Sequence, residues 1–569
     1  VFLVHSLFLF FLSLLSVSFA VAPKNLKPVA IYHAHNLSFN EIRDKLPTLA
    51  QLGFSHIQIS PPQKSRDTLP DHKKKSPSKH LKERKIWWLH YQPENYKIDD
   101  TFGTQTELQQ LVDEAQKVDI KIIVDVVLTH LRAPDHIEFP NWKSAYLACQ
   151  LCKYVKGKEP DNYVQCTDVR GNPFNTESIL PNTDILNDQT ILADIRACKL
   201  LSSDAADYLK TLYFKLQPIV ANFLGVPKEK VDLKTISQVI YPWRLGYQPG
   251  SWTSGFGAPA LRTDHFLVSN LQKQYLSLLV NLGVGGFRYD AASNLSIKSL
   301  ESFKAIPKHM SIFKFFQYGE IVDTLENTTN WKNTMGISIT NYPFLLILKN
   351  ALSHHGSLQS IWGFYSSHVH DDDVIFTATH DTFGEDASLR YYRMEDAHDS
   401  RSITNDNLLA LSIILAIPKG VPLILHDYVD DKMPFYAPHP HDLKRYDAPT
   451  KMVQNGLKFR KIMVLEHHDQ DHFSYYNDDP NVLIIERYQT PDKRAGGFAI
   501  INKGLEEYSY QDLLIRTKFI RGCYQSLEEK PVIMIVSKDR SIKVISGNPN
   551  VPKREAQFFI SVHNDKCLS

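Results

Sequence analysis

The feature that most restricts the fold is an alternation that recurs eight times between Val29 and Leu425. Short apolar runs of strand length are separated by stretches with helical periodicity. The runs are Val29–His35, His56–Ser60, Ile120–Val127, Val284–Asp290, Phe313–Ile321, Gly336–Asn341, Val374–His380 and Val421–Leu425. Helical patterns fall between them, as at Phe39–Leu52 and Thr104–Val118. Strand–helix–strand units in series give a parallel sheet with right-handed crossovers. Eight of them predict a closed (β/α)8 TIM barrel, an α/β fold.

Two stretches interrupt the alternation. Lys64–Lys85 is basic and turn-rich, and reads as a solvated loop on the barrel rim. Residues 131–260 follow the third strand and are long enough for an inserted domain B, with a helical pattern at Ala205–Leu224. From 472 the pattern changes to short runs without helices: Val482–Tyr488, Gly497–Asn502, Val532–Val536, Ile542–Ile545 and Phe558–Val562. Such spacing predicts a C-terminal antiparallel β-sandwich. The barrel is thus expected in two parts, 21–130 and 261–471, with the sandwich at 472–569.

Phe8–Phe19 is nearly all apolar but short for a membrane span, and small residues at Ser18 and Ala20 fit signal-peptide cleavage after Ala20. The alternative is an uncleaved anchor. Export without stable membrane insertion is expected, to an extracellular or periplasmic location, where disulfides form. Cys523 and Cys567 are expected to pair. Cys149, Cys152, Cys166 and Cys198 permit three pairings, and Cys149-x-x-Cys152 could instead begin a zinc site. The net charge of +2 gives no support for a nucleic-acid partner.

The strand ends carry the chemistry. In a barrel, functional residues gather at the C-terminal ends of the strands. The third run continues Asp125-Val-Val-Leu-Thr-His130, the fourth ends Arg288-Tyr-Asp290, the fifth ends on Glu320 and the seventh on His380-Asp381. Period-two alternation puts Arg288 and Asp290 on one side of their strand, where the cation should keep the carboxylate ionised. Partial burial beside other carboxylates should raise the pKa of Glu320. An ionised and a protonated carboxyl group facing each other suit glycoside cleavage. Asp381 would then bind sugar hydroxyls and hold the ring distorted, with His130 and His380 as hydrogen-bond donors.

These four strand ends resemble, in order and spacing, the signature regions of the α-amylase family, glycoside hydrolase family thirteen. Trp87-Trp-Leu-His-Tyr-Gln-Pro93 resembles its aromatic platform. Tyr32-His-Ala-His-Asn-Leu-Ser-Phe39, Phe316-Gln-Tyr-Gly-Glu-Ile321 and His380-Asp-Thr382 are similar to the bacterial saccharifying α-amylases. The resemblance implies a retaining hydrolase of α-1,4-glucans such as starch or glycogen. Asp290 would be the nucleophile, Glu320 the acid/base and Asp381 the transition-state stabiliser. Arg288, His130 and His380 match substrate-site positions, Tyr91 would stack on the sugar, Gln92 would hydrogen-bond it, and Trp88 would stack on a neighbouring glucose. The expected partner is an α-glucan and the expected state a monomer.

Three positions depart from the family pattern. Thr129 stands where Asn commonly helps bind a structural calcium, Ser293-Asn294 stand where Lys-His is frequent, and Thr379 replaces the Asn of chloride-dependent relatives. No cofactor is therefore expected to be required, and a tight calcium site is disfavoured; Asp161, Asp168 and Asp184 remain as other ligands. A metal-dependent barrel hydrolase is a rival, because His33-Ala-His35 matches its His-x-His motif. It needs further histidines where this chain has Glu320 and Asn341-Tyr342. A transglycosylase would use the same residues as the hydrolase. A catalytically silent glycan-binding relative would be expected to lack one of the three carboxylates, and all are present.

Overall fold

A computed structural model describes residues 28–66, 87–98, 101–133, 165–167, 173–175, 203–245, 258–310, 315–382, 389–392, 406–426, 429, 450–465, 472–476, 479–488, 495–511, 513, 522–563 and 567. The expected signal peptide, residues 1–20, lies outside them, as do the run Lys73–Lys75 and Cys149, Cys152 and Cys198; of Cys166 only the backbone strand Gln165–Thr167 is described.

The eight expected strands all form: β1 (Ile31–Ala34), β2 (His56–Ile59), β3 (Lys121–Val126), β4 (Gly286–Tyr289), β5 (Phe316–Gly319), β6 (Ser338–Ile339), β7 (Val374–Phe376) and β8 (Val421–Leu425). They pair in parallel in the order β6-β5-β4-β3-β2-β1-β8-β7. A parallel bridge between Thr340 and Val374, with the Asn341 N–H donating to the Val374 carbonyl at 2.9 Å, brings the two edges together into a barrel. All five residues of β8 are buried, as expected for a parallel strand covered on both faces.

The helices begin where the sequence supplies caps. Helix α1 (Phe39–Leu52) starts at a capping box of Ser38 and Glu41, and α2 (Gln105–Lys117) at one of Thr104 and Glu107. Their apolar faces, Phe39, Ile42, Leu46 and Leu49 on α1 and Leu108, Leu111, Val112 and Ala115 on α2, pack on the barrel core. Helices α3 (Phe266–Asn281), α4 (Ile297–Met310), α5 (Leu325–Met335), α6 (Tyr342–Leu352), α7 (Asp406–Ala416) and α8 (Thr450–Leu465) complete the outer ring. Every residue of α7 is buried, because the barrel lies on one side of it and the C-terminal sheet on the other.

The chain leaves the barrel after β3 and returns beside its own exit. His130 and Ala260 form an antiparallel bridge, and the Leu131 N–H donates to the Pro259 carbonyl at 3.0 Å. Between these points the helix Ser203–Leu224 builds a separate small core with Leu131, Val239, Ile240 and Leu261. It is tied to the strand Pro93–Ile98 by Asn222, which exchanges hydrogen bonds of 3.1 Å with Asn95 and Glu94.

The C-terminal part is a seven-stranded antiparallel sheet. Its strands are β9 (His472–Tyr476), β10 (Val482–Tyr488), β11 (Ala495–Asn502), β12 (Gly522–Ser526), β13 (Ile533–Val536), β14 (Ile542–Ser546) and β15 (Glu555–Val562), in the order β9-β10-β11-β15-β12-β13-β14. Period two sorts its side chains. Leu483, Ile485, Ala499, Ile501 and Phe558 face α7 and α8, and Phe558 meets Phe459 at 5.5 Å between ring centroids. Val482, Ile484, Phe498, Ile500 and Phe559 face a second core closed by Tyr510 and Val551. Lys503 reaches back to the end of α6, donating to the Ala351 and Ser353 carbonyls at 2.9 Å, where a cation favours the helix dipole. Cys523 and Cys567 are disulfide-bonded, as expected.

Candidate active site

Register builds the centre of the site. Arg288 on β4 stands opposite Asp125 on β3 and Tyr318 on β5, so its side chain enters the barrel mouth between neighbouring strands. Its Nη1 donates to Asp125 Oδ1 and Oδ2 at 2.8 and 2.7 Å and to Asp290 Oδ1 at 2.9 Å. Its Nη2 lies 2.6 Å from Glu320 Oε1. One guanidinium therefore holds three carboxyl groups from three strands, and all four side chains are buried, Asp125 completely.

Two backbone features bring Glu320 against Asp290. Ala291 adopts the left-handed region at φ 44°, which costs about 1–2 kcal/mol for a residue with a Cβ. The turn aims its N–H at Glu320 Oε2, 3.0 Å away. Gly319 permits the close approach, since a Cβ there would stand 2.8 Å from the Ala292 Cβ.

Electrostatics then separates the roles. Burial, with Asp290 and Asp381 nearby, raises the pKa of Glu320 to about 8 against the opposing pull of Arg288 and the Ala291 N–H. Burial likewise raises Asp125 to about 7, although Arg288 and the Tyr91 hydroxyl oppose it. Burial works against the charge of Arg288, but Asp125, Glu320, Tyr91 and Asp290 outweigh it and hold its pKa well above the usual range. A single cation among buried carboxyls cannot balance all of them, so protons are retained near neutral pH.

The rest of the site lies on both sides of this centre. Asp381 follows β7, with its N–H 3.3 Å from Thr379 Oγ1 and its carbonyl receiving the Leu389 N–H at 2.8 Å. His380 Nε2 is 3.1 Å from Asp381 Oδ2. The Tyr91 ring stacks on His380 with centroids 5.0 Å apart, and its hydroxyl donates to Asp125 Oδ2 at 2.8 Å.

His130 and Gln92 anchor the Tyr91 turn. The Tyr91 carbonyl can only accept, so His130 Nε2, 2.7 Å from it, carries the proton, and His130 Nδ1 then accepts from the Thr129 hydroxyl at 2.8 Å. Gln92 Oε1 accepts from the Ala133 N–H at 3.2 Å. Trp88 is half-buried in the short turn Trp87–Leu89, and no sugar contact is assigned to it.

The residues thus divide. Asp290, Glu320, Arg288, Tyr91, His380 and Asp381 form one connected group, while His130 and Gln92 support it from behind. Asp125 is the member that reading strand ends left without a role. The signal was present, because Asp125 and Arg288 end adjacent strands at matching depth. His33 and His35, which match a His-x-His motif and lie in the run that resembles the saccharifying α-amylases, both stand beside His380, with ring centroids 5.5 and 4.3 Å from it.

Thr129, at the position where relatives have Asn, faces His130. The Thr129 hydroxyl is engaged by His130, and no group of three carboxylates gathers there among the described residues. Asp161, Asp168 and Asp184 lie outside those residues.

Known proteins resemble this chain in sequence and fold. A family model for the alpha amylase catalytic domain matches residues 38–181. An alpha-amylase of Aeromonas hydrophila is 24% identical over 427 residues, covering 72% of this chain and 74% of that protein. Among solved structures, alpha-amylase from Geobacillus thermoleovorans, complexed with acarbose, has a TM-score of 0.53 at 15% identity over 93% of this chain and 97% of its own. A mutant of alpha-amylase I from Eisenia fetida, in complex with maltohexaose, has a TM-score of 0.53 at 14% identity over 95% of this chain and 98% of its own. At these identities the structures show a shared fold. The matched family model and the related sequence make this chain similar to α-amylases, glycoside hydrolases, over its barrel.

Proposed function

We propose that the protein is a secreted retaining α-glycoside hydrolase that cleaves α-1,4-glucosidic bonds of starch- or glycogen-type glucans. The observation that carries this reading is the pairing of Asp290 and Glu320 on one guanidinium, with the pKa of Glu320 raised to about 8. Two carboxyls held on the prongs of one fork favour the separation of roughly 5–5.5 Å used by retaining enzymes.

In this reading Glu320 gives its proton to the glycosidic oxygen as Asp290 attacks the anomeric carbon. The bond to the leaving sugar breaks and a glycosyl ester forms on Asp290. The Glu320 carboxylate then takes a proton from water, whose oxygen attacks the anomeric carbon and releases Asp290. Asp381 holds sugar hydroxyls and stabilises the developing positive charge on the ring. Burial of Arg288 and Asp125 beneath them fixes both reacting carboxyls before substrate arrives, so little reorganisation is needed. Tyr91 supplies the stacking surface and His380 the hydroxyl contact, while His130 and Gln92 keep Tyr91 in place.

The test is to incubate the purified protein with starch, maltodextrin and sucrose, following product sizes and the anomer first released. Shortened maltodextrins released as the α-anomer support the reading. Release of the β-anomer would overturn the retaining mechanism, and products longer than the substrate would show transfer to sugar in place of hydrolysis. A 2-deoxy-2-fluoro glucosyl donor should trap an adduct on Asp290.

A further inference from the structure

The cleavage mechanism uses neither His33 nor His35, yet both are buried in the barrel mouth. His33 lies on β1 and His35 directly follows its last residue, so the two, spaced two apart, stand on one side of the strand end. There they meet His380 from the end of β7. One ring nitrogen from each of the three lies within 4.8 Å of the others. The His35 and His380 rings are parallel, 4.3 Å apart, and His33 stands edge-on to both at 5.6 and 5.5 Å.

Their chemistry matches their placement. Burial pushes all three pKa values well below the usual histidine range, which leaves neutral imidazoles, the form that binds metal. His33 Nδ1 is buried and has no hydrogen-bond partner among the described residues. His380 Nε2 faces Asp381 Oδ2 at 3.1 Å, so the proton belongs there and Nδ1 carries the lone pair. A carboxylate behind the far nitrogen of an imidazole is the usual support for a metal-binding histidine. Among the described residues, the surroundings hold the carboxyl groups of Asp125, Asp290, Glu320 and Asp381 and the cation Arg288.

We propose that His33, His35 and His380 form a binding site for a divalent late transition-metal ion of the zinc or copper class, and that its occupancy blocks glucan cleavage. Imidazole donors select this class over calcium or magnesium. Zinc–nitrogen bonds of about 2.0–2.1 Å put two ligands of one ion about 3.4 Å apart. The rings therefore close by about an ångström, and His35 turns out of its parallel stack to aim an in-plane lone pair at the ion. The same movement draws His380 away from Tyr91 and from its role at the sugar. Inhibition follows from the geometry of binding, without any contact between the ion and the reacting carboxylates.

The test uses the full-length protein. Zinc is titrated against a chromophoric chelator, and Cu2+ is added at one equivalent for electron paramagnetic resonance, for the native protein and for His33→Phe and His35→Phe. The phenylalanine at 35 keeps a ring stacked on His380 and removes the ligand. One tightly held equivalent of zinc is expected, with nitrogen couplings from imidazoles in the copper spectrum. Each variant should bind on the order of 100-fold more weakly, and should cleave maltodextrin without zinc inhibition. Binding that persists unchanged in both variants would assign the metal elsewhere and overturn the proposal. So would a native copper spectrum showing oxygen ligands alone, a result that needs no variant to fold. Both binding readouts are independent of cleavage, so they stand or fall apart from the proposed activity.

Discussion

Replacing Glu320 by glutamine tests the electrostatics of the site most directly. The carboxyl is 8% exposed and its pKa rises from 4.5 to about 8, chiefly through burial and then through Asp290 and Asp381. At about 1.36 kcal/mol per pH unit, that gap is on the order of 5 kcal/mol. The folded protein keeps a proton that the unfolded chain releases. The stabilisation from that proton is complete below pH 4.5 and is lost as pH rises through about 8. Glutamine is neutral throughout and has no such dependence. The stability of the native protein relative to Glu320→Gln should therefore fall steadily between pH 5 and pH 8, by an amount approaching that figure, and then level off. Urea unfolding of both proteins at several pH values measures the difference, and the pH dependence of groups remote from the site cancels. Kinetics gives a second reading. The general acid is present only while Glu320 is protonated, so kcat/KM should fall above about pH 8. A stability difference independent of pH, together with activity flat to pH 10, would refute the reasoning.

Three further outcomes are expected. Asp290→Asn and Asp381→Asn should each remove most turnover while leaving circular dichroism unchanged, and the double variant should be little worse than either, because the carboxyls act as a unit. Arg460 is fully buried and donates to the carbonyls of Val29, Ile417 and Gly420 at 2.6, 2.8 and 2.6 Å; Arg460→Met should cost roughly 3–5 kcal/mol through the acceptors it abandons, read by chemical unfolding. Chelation should change the melting temperature little, whereas reducing Cys523–Cys567, which closes a separation of 44 residues, should destabilise the C-terminal sheet by about 4 kcal/mol, visible by calorimetry.

The barrel was legible because its strands are buried on both faces and its helices on one. These two patterns differ in sequence, so β8 and α1 could be read to within a residue or two. The C-terminal sheet was less complete. Strands β9 and β12 escaped, since His472–Tyr476 and Gly522–Ser526 are rich in polar residues and carry no apolar alternation. The meeting of Arg288 and Asp290 followed from spacing along one strand. That Arg288 Nη1 contacts both oxygens of Asp125 did not, because matching depth on adjacent strands suggests a meeting but only the register between the strands fixes it. The left-handed Ala291 was also hidden. Alanine gives no warning of positive φ, and only the closed turn over Gly319 makes it necessary.

The same register bears on why Glu320 is proposed as the acid. Three carboxyls surround Arg288, and with only one cation there, full ionisation of all three would leave a net buried negative charge. The group that keeps a proton must be the one whose ionised form is least favoured. Asp125 receives two hydrogen bonds from Arg288 and one from Tyr91, all of which favour its anion. Asp290 faces the prong of Arg288 that also grips Asp125. Glu320 has the second prong and a single backbone N–H, with both Asp290 and Asp381 opposing its charge. Burial raises both groups, Glu320 to about 8 and Asp125 to about 7, and Glu320 is the one of the two that stands beside Asp290 with a free approach from the cleft side in the proposed mechanism. In the proposed mechanism the acid is thus set by position around one guanidinium. Moving the cation, as Arg288→Lys would do by exchanging a planar fork for a point charge, should blur that selection even though the net charge is kept.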